Sequence, residues 1–269
     1  MLGVSRSGYY GWLTRSPSPR QLADEALAAV ILDIHRQFAC YGSPRVHQEL
    51  RARNHHVGVN RVARLMRERG IRARRGPVKS RPRSAPPRRR PEVGDLIRRD
   101  FQAIAPNRLW CVDITQIRTR EGWLCVAAVL DAYSRKIISW SVADRQHLEL
   151  ALEALDGALA ARRPPPGLIV HSDRGFQFTS WEWLDRLRSR GHQPSIGETA
   201  SALDNALIEA WFSSMKNEAF HPYPVPAARH QARQTLFQHI NFHNNHRRHS
   251  ALAYTNPTHY EAITTRVSA

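Results

Sequence analysis

Two aspartates and a glutamate, Asp113, Asp173 and Glu209, stand 60 and 36 residues apart in a 269-residue chain, and Lys216 follows the glutamate by seven. Asp113 sits inside the apolar run "RLWCVDITQI", Asp173 ends the run "GLIVHSD", and Glu209 falls more than one turn inside a helical stretch opened by Asp204 and Asn205. A charged side chain in a strand otherwise fit for burial is costly unless it is paired or binds a cation. Carboxylates gathered without His or Cys are hard oxygen ligands, suited to Mg2+ or Mn2+ rather than zinc. Two such ions about 3.5 to 4 Å apart activate an attacking oxygen and stabilise a leaving one in phosphodiester chemistry. If the strands of Asp113 and Asp173 are neighbours, both carboxylates reach one crevice, and the three acids form a candidate catalytic and metal-holding set. Lys216 lies two turns beyond Glu209 on the same helical face. Each aspartate also has a plainer reading. Asp173-Arg174-Gly175 is ordinary turn chemistry, in which Gly tolerates a positive φ, and Asp113 fits an aspartate hydrogen-bonded at a strand end.

The elements that must position these residues are legible from hydrophobic period and breakers. "RLWCVDITQI", "GWLCVAAVLDAY" and "KIISWSVA" are β-branched and aromatic runs separated by "TREG" and "SR" turns, an antiparallel meander of three strands. A helix "LELALEALDGALAARR", the strand "GLIVHSD", a helix around "TSWEWLDRLRSRG", the short apolar stretch "PSIGE" and a long helix from about Leu203 to Phe220 follow. Hairpin strands followed by alternating helix and strand predict an α/β fold with a mixed sheet, not a doubly wound parallel one.

Upstream, Leu27, Val30, Ile31, Ile34 and Phe38 recur at helical spacing, a second short helix fits "VHQELRAR", and a third fits "VGVNRVARLMRERGIRAR", with Asn60 as N-cap and Gly70 as stop. Three short helices with Arg61, Arg64 and Arg67 on the last look like a helix-turn-helix-type DNA reader, and a plain bundle with solvated arginines is the competing reading. "RARRGPVKSRPRSAPPRRRP" has almost no apolar residues and reads as a linker. The expected division is a helical DNA-binding region over 1–72, a basic Pro/Arg-rich linker over 73–100, a core over 101–225 and a C-terminal helical extension over 226–269.

A net charge of +17 attracts polyanions before any specific contact forms, so nucleic acid is the leading partner. A membrane is not indicated: there is no long apolar run, no signal-peptide core and no basic amphipathic helix with a continuous apolar face. The expected location is cytoplasmic. Cys40, Cys111 and Cys125 are scattered and lack metal-type pairing, which predicts buried, idle thiols.

The intervals carry a resemblance. With 35 residues between Asp173 and Glu209, and Lys216 beyond, the set resembles the Asp, Asp-35-Glu signature of retroviral integrases and related bacterial transposases. "WCVDIT", "HSDRGFQFTS", "DNALIEAWFSSMKNE" and "HRRHSALAYTNPTHYE" resemble, in order, the second-reading-frame product of IS3-type insertion-sequence transposases, and "SRSGYYGW" and "YGSPRVHQEL…GVNRVARLM" resemble that family's upstream helices. The resemblance covers nearly the whole chain. It implies a ribonuclease-H-like core with a mixed five-stranded sheet flanked by helices, with Asp113 on the first strand, Asp173 at the end of the fourth and Glu209 on a following helix. It also implies Mg2+ or Mn2+ as a pair of ions, cleavage and strand transfer at the element's ends, and Lys216 touching the terminal DNA. Asn205 and Arg174, which flank the carboxylates, join Lys216, Arg61, Arg64 and Arg67 as candidate DNA contacts. The partners implied are DNA (element ends and target), further copies of this chain on DNA, and the first-reading-frame product. The approach to the glutamate helix, "GETASALDNA", departs from the family's "SRxGNxxDNA". His243 and Gln116 stand where tyrosine is commoner.

His239, His243 and His246 follow i, i+4, i+7, which could gather zinc on one helical face, but no cysteine or nearby acid completes the ligand set. A solvated or DNA-facing histidine surface is the preferred reading. The rival function is a DNA-binding regulator that holds element ends without cutting, against which an intact triad argues; a nuclease with no joining step is disfavoured by the Lys216 helix and the C-terminal motif.

Overall fold

The computed structural model describes residues 5–74, 93–197 and 204–267, the side chains of 265–267 excepted. The chain divides into two compact units, Met1–Arg74 and Arg75–Ala269. No helix among the described residues is long and apolar enough to cross a membrane.

The first unit is helical: α1 (Arg6–Leu13), α2 (Pro19–Gln37), α3 (Ser43–Ala52) and α4 (Val59–Glu68). Ser18 opens α2 with a reciprocal capping box to Gln21, and Pro19 occupies the first turn, where its missing N–H costs nothing. The stripe of α2 buries Leu27, Ala28, Ile31 and Ile34, α3 buries Val46 and Leu50, α4 buries Val62, Leu65 and Met66, and the three helices pack on one another. α4 begins earlier than its sequence suggests: Gly58 is the N-cap and Asn60 lies inside the helix. Gly70 ends it at φ 65°, a left-handed conformation that favours glycine. α1 buries nothing within this unit.

The second unit is a five-stranded sheet in the order β3-β2-β1-β4-β5, formed by β1 (Leu109–Thr119), β2 (Gly122–Asp131), β3 (Ile137–Ala143), β4 (Ile169–Ser172) and β5 (Gln193–Ile196). β1, β2 and β3 pair antiparallel, while β4 runs parallel to β1 and to β5. This is the mixed sheet expected of a ribonuclease-H-like core. Because strand side chains alternate faces, β1 serves two cores. Trp110 and Val112 pack with α5 (Leu148–Arg162) and α6 (Trp181–Arg188), while Cys111 and Ile117 pack with α7 (Ala206–Met215) and α8 (Arg229–Asn245). α9 (Pro257–Val267) closes the chain.

Two boundaries differ from the sequence reading. Of the stretch read as linker, 75–92 lie outside the described residues, but 93–100 are part of the second unit. Val93 is buried in the α5 core, the Leu96 N–H donates to Ser195 Oγ, and Gly94 O accepts from the Ile196 N–H. The arginine and proline content that marks the linker stops short of these apolar anchors. The segment beyond 225 is no appendage either, since Ala232, Leu236 and Ile240 of α8 complete the apolar cover of one sheet face.

The histidines of α8 are likewise not a solvated surface. His239 and His243 are buried, and only His246 of the three is exposed. Burial lowers His239 from its ordinary 6.5 to about 4 and lowers His243 well below 6.5. A histidine held neutral in the fold binds fewer protons than in the unfolded chain, so it destabilises the fold as pH falls from about 6.5 toward 4. Each such group steepens the loss by up to about 1.4 kcal/mol per pH unit. Urea midpoints of the wild-type chain are expected to fall over that window, and His239→Asn to flatten the decline. The three cysteines are buried and form no disulfide, and burial pushes the Cys111 thiol up to about 12.

Candidate active site

β1 and β4 run parallel with Cys111 beside His171 and Val112 beside Ser172. That pairing ends at Val112 and Ser172, so Asp113, near the middle of β1, and Asp173, just past the end of β4, each directly follow the last paired residues. Val112 packs toward α5, so Asp113, one residue on, falls on the face that α7 covers. Asp113 is 6% exposed and its Oδ1 accepts from the Ile114 N–H at 2.7 Å. Asp173 is exposed, and its Oδ1 accepts from the Gly175 N–H at 2.9 Å, the Asx turn that its sequence suggests. Gly175 is needed for space rather than for a positive φ. A Cβ there would stand 2.9 Å from Gln177 Oε1 and 3.0 Å from Asp173 Oδ1.

Glu209 lies in the first turn of α7, half-buried. Three side chains pin the start of that helix, two of them to the sheet. Asn205 is buried, and its Nδ2 donates to Val112 O at 3.0 Å, next to Asp113 in the strand. Arg99 Nε donates to Asp204 Oδ1 at 2.8 Å. Buried His171 lies with its Nε2 2.7 Å from Asp204 O and its Nδ1 2.9 Å from Ser195 Oγ. A carbonyl can only accept, so Nε2 carries the proton, and Nδ1 is free to accept from the Ser195 hydroxyl. Burial lowers the His171 pKa, which matches this neutral tautomer. The close approach extends to Gly197, where a Cβ would stand 2.6 Å from Asp204 Cβ.

These residues correct the sequence reading. Asn205 is a buried strut rather than a surface for DNA, and it does not cap its helix with its side chain. His171 and Arg99 were not singled out by sequence. The signal for His171 was a lone polar residue on a buried strand, which has many causes. Of the "GETASALDNA" segment, 198–203 lie outside the described residues.

Lys216 Nζ donates to Thr115 Oγ1 at 2.7 Å, so it shares the face of Asp113 two residues further along β1. The long helix expected to Phe220 changes character at this lysine: α7 ends at Met215, and Lys216–Phe220 is a π-helical turn closed by the His221 N–H to Lys216 O at 2.7 Å. Arg174 Nε donates to Gly197 O at 2.7 Å, so this arginine braces the chain after β5. In the first unit, Asp24 of α2 engages both Arg61 (Nε to Oδ1, 2.7 Å) and Arg64 (Nη2 to Oδ2, 2.6 Å). The Arg64 and Arg61 guanidiniums in turn hold its carboxyl below the usual range. Arg61 and Arg64 are therefore partly committed to joining α4 to α2, while Arg67 is exposed.

Asp113, Asp173 and Glu209 offer only oxygen donors, the chemistry of a hard divalent cation. Among the described residues no three His, Cys, Asp or Glu side chains stand close enough together to hold an ion. Asp113 and Asp173 each directly follow the last β1–β4 pair, and Glu209 lies on the helix whose start Asn205 fastens to β1, short of a closed cage.

An HTH-like domain model matches residues 21–78, and an integrase core domain model matches residues 103–202. The chain is 35% identical over 259 residues to an insertion element IS600 31 kDa protein of Shigella sonnei, covering 96% of this chain and 94% of that one. It is 36% identical over 265 residues to transposase InsF for insertion sequence IS3A of Escherichia coli, covering 97% and 91%. In fold it is similar to the simian T-cell lymphotropic virus intasome in complex with a PP2A regulatory subunit, at 15% identity and TM-score 0.51, covering 86% of this chain and 74% of that one. With its mixed sheet, its helical N-terminal unit and relatives matched almost end to end, the chain belongs to the IS3 family of insertion-sequence transposases, polynucleotidyl transferases with an integrase catalytic core.

Proposed function

We propose that this transposase cuts DNA at the ends of its element and joins the freed 3′ ends to a second DNA site, with Asp113, Asp173 and Glu209 as the catalytic carboxylates that hold Mg2+ or Mn2+. One observation carries the reading: Asp113 and Asp173 each directly follow the last β1–β4 pair, Val112 with Ser172, while Asn205 ties the start of the Glu209 helix to β1. A pair of divalent ions bound there would supply activation of the attacking oxygen and stabilisation of the leaving one.

The chain's own residues supply the geometry. The sheet holds Asp113, the Gly175 turn holds Asp173, and α7 carries Glu209. Lys216, on the face of Asp113, offers an ammonium to a terminal phosphate, and Arg67 with the basic stretch before 93 supplies charge for the backbone. The units divide the work, the helical one gripping DNA and the sheet-based one acting on it. Further copies of the chain on DNA, and the first-reading-frame product, belong to the same proposal.

The test is a labelled duplex carrying the terminal repeat, incubated with the protein and Mg2+ or Mn2+. Cut and joined products are expected. Tight, salt-sensitive binding with neither product overturns the reading in favour of a DNA-binding regulator. His171→Ala is expected to lower joining by about tenfold, because it releases the Asp204 carbonyl that anchors the start of the Glu209 helix. Little change in terminal-duplex affinity should accompany it. An unchanged joining rate at full occupancy of DNA would show that Asp204 needs no such support.

A further inference from the structure

Arg247, just beyond α8, forms a buried ion pair outside the carboxylate site. Its Nε and Nη2 donate to Glu218 Oε2 and Oε1 at 2.9 and 2.6 Å, and both side chains are 6% exposed. Glu218 is the middle residue of the π-helical turn Lys216–Phe220. A buried ion pair is a weak source of stability, because desolvation offsets most of the Coulombic gain. A π turn is rare and gathers at functional sites. Both features fall within five residues, and the first of those residues is Lys216.

The two-pronged contact fixes Glu218 in direction as well as distance. That in turn fixes the wide turn, and the turn sets the exit of the Lys216 side chain toward Thr115, on the face of Asp113. We propose that Arg247 and Glu218 are positioning residues: together they hold the π turn that aims Lys216 along β1, from where it meets the phosphate at the DNA end. This rests on the reading of Lys216 as a DNA contact, and it gives the C-terminal "HRRHSAL" stretch a role in that contact.

Lysine chemistry tests it, because the chain has only Lys79, Lys136 and Lys216. The full-length protein is labelled with an amine-reactive reagent and the rate at each lysine is followed by mass spectrometry. Lys136, paired with Glu261 at 3.4 Å, serves as an internal reference in the same unit. Two variants are used: Glu218→Gln, and the double variant Glu218→Leu with Arg247→Met, in which both charges leave together and stability is expected to hold. In both, Lys216 is expected to label severalfold faster while Lys136 is unchanged, and affinity for the terminal duplex to fall about tenfold. An unchanged Lys216 rate overturns the proposal, and so does a parallel rise at Lys136, which would make the pair a general brace. The reading beneath it fails separately. If terminal duplex does not protect wild-type Lys216 from label, Lys216 is not a DNA contact, whatever the variants show of its position.

Discussion

Asp113→Asn, Asp173→Asn and Glu209→Gln are each expected to cut cleavage and joining by about a thousandfold or more, the loss of roughly 4 kcal/mol of transition-state stabilisation. The substitutions are chosen to spare the fold. Asn keeps the oxygen that accepts from the Ile114 N–H at position 113 and from the Gly175 N–H at position 173. Gln is a good helix former at position 209. What each change removes is a negative charge and a hard donor. Terminal-duplex affinity measured without divalent metal should therefore stay within severalfold of wild type while product formation collapses. If any one variant retained joining within threefold of wild type, that residue would leave the catalytic set, and the plainer account of it as a turn or strand-end aspartate would stand.

The second large effect concerns the C-terminal helices. A chain ending at Val225 is expected to lose cooperative unfolding, because α8 supplies Ala232, Leu236 and Ile240 to the core beneath one face of the sheet. With only α7 left on that face, part of the cluster that holds Cys111, Val126, Ala128 and Leu130, all buried in the intact chain, is opened to water. Leu236→Ala is the graded version. Leu236 is wholly buried, and its truncation is expected to cost about 2 to 5 kcal/mol. Thermal and urea melts read both. A truncated chain that still unfolded as sharply as the whole would return α8 to the status of an extension. Asn244 is part of the same argument, since its side chain both accepts from the Ile137 N–H and donates to Ile137 O on β3, an edge strand that would otherwise leave those groups to water.

Local pattern sufficed for much of this protein. Alternation and turn residues located the strands around Asp113 and Asp173, and the 3.6-residue stripe located α2. The intervals among the three carboxylates pointed to phosphoryl chemistry, because they matched a family whose spacing is set by its sheet. Tertiary structure decided the rest, for reasons that periodicity cannot carry. Whether Asp113 and Asp173 are neighbours depends on β4 adding parallel to β1, a pairing across 60 residues. The histidines of α8 read as polar, yet two are buried, His243 against the Trp211 ring with its Nε2 on Arg135 O. Asn205, Arg174, Arg61 and Arg64 looked like groups for DNA. In the fold, Asn205 and Arg174 hold the chain around the carboxylates, while Arg61 and Arg64 share Asp24. A donor's type is written in the sequence, but its partner is chosen by which surfaces meet.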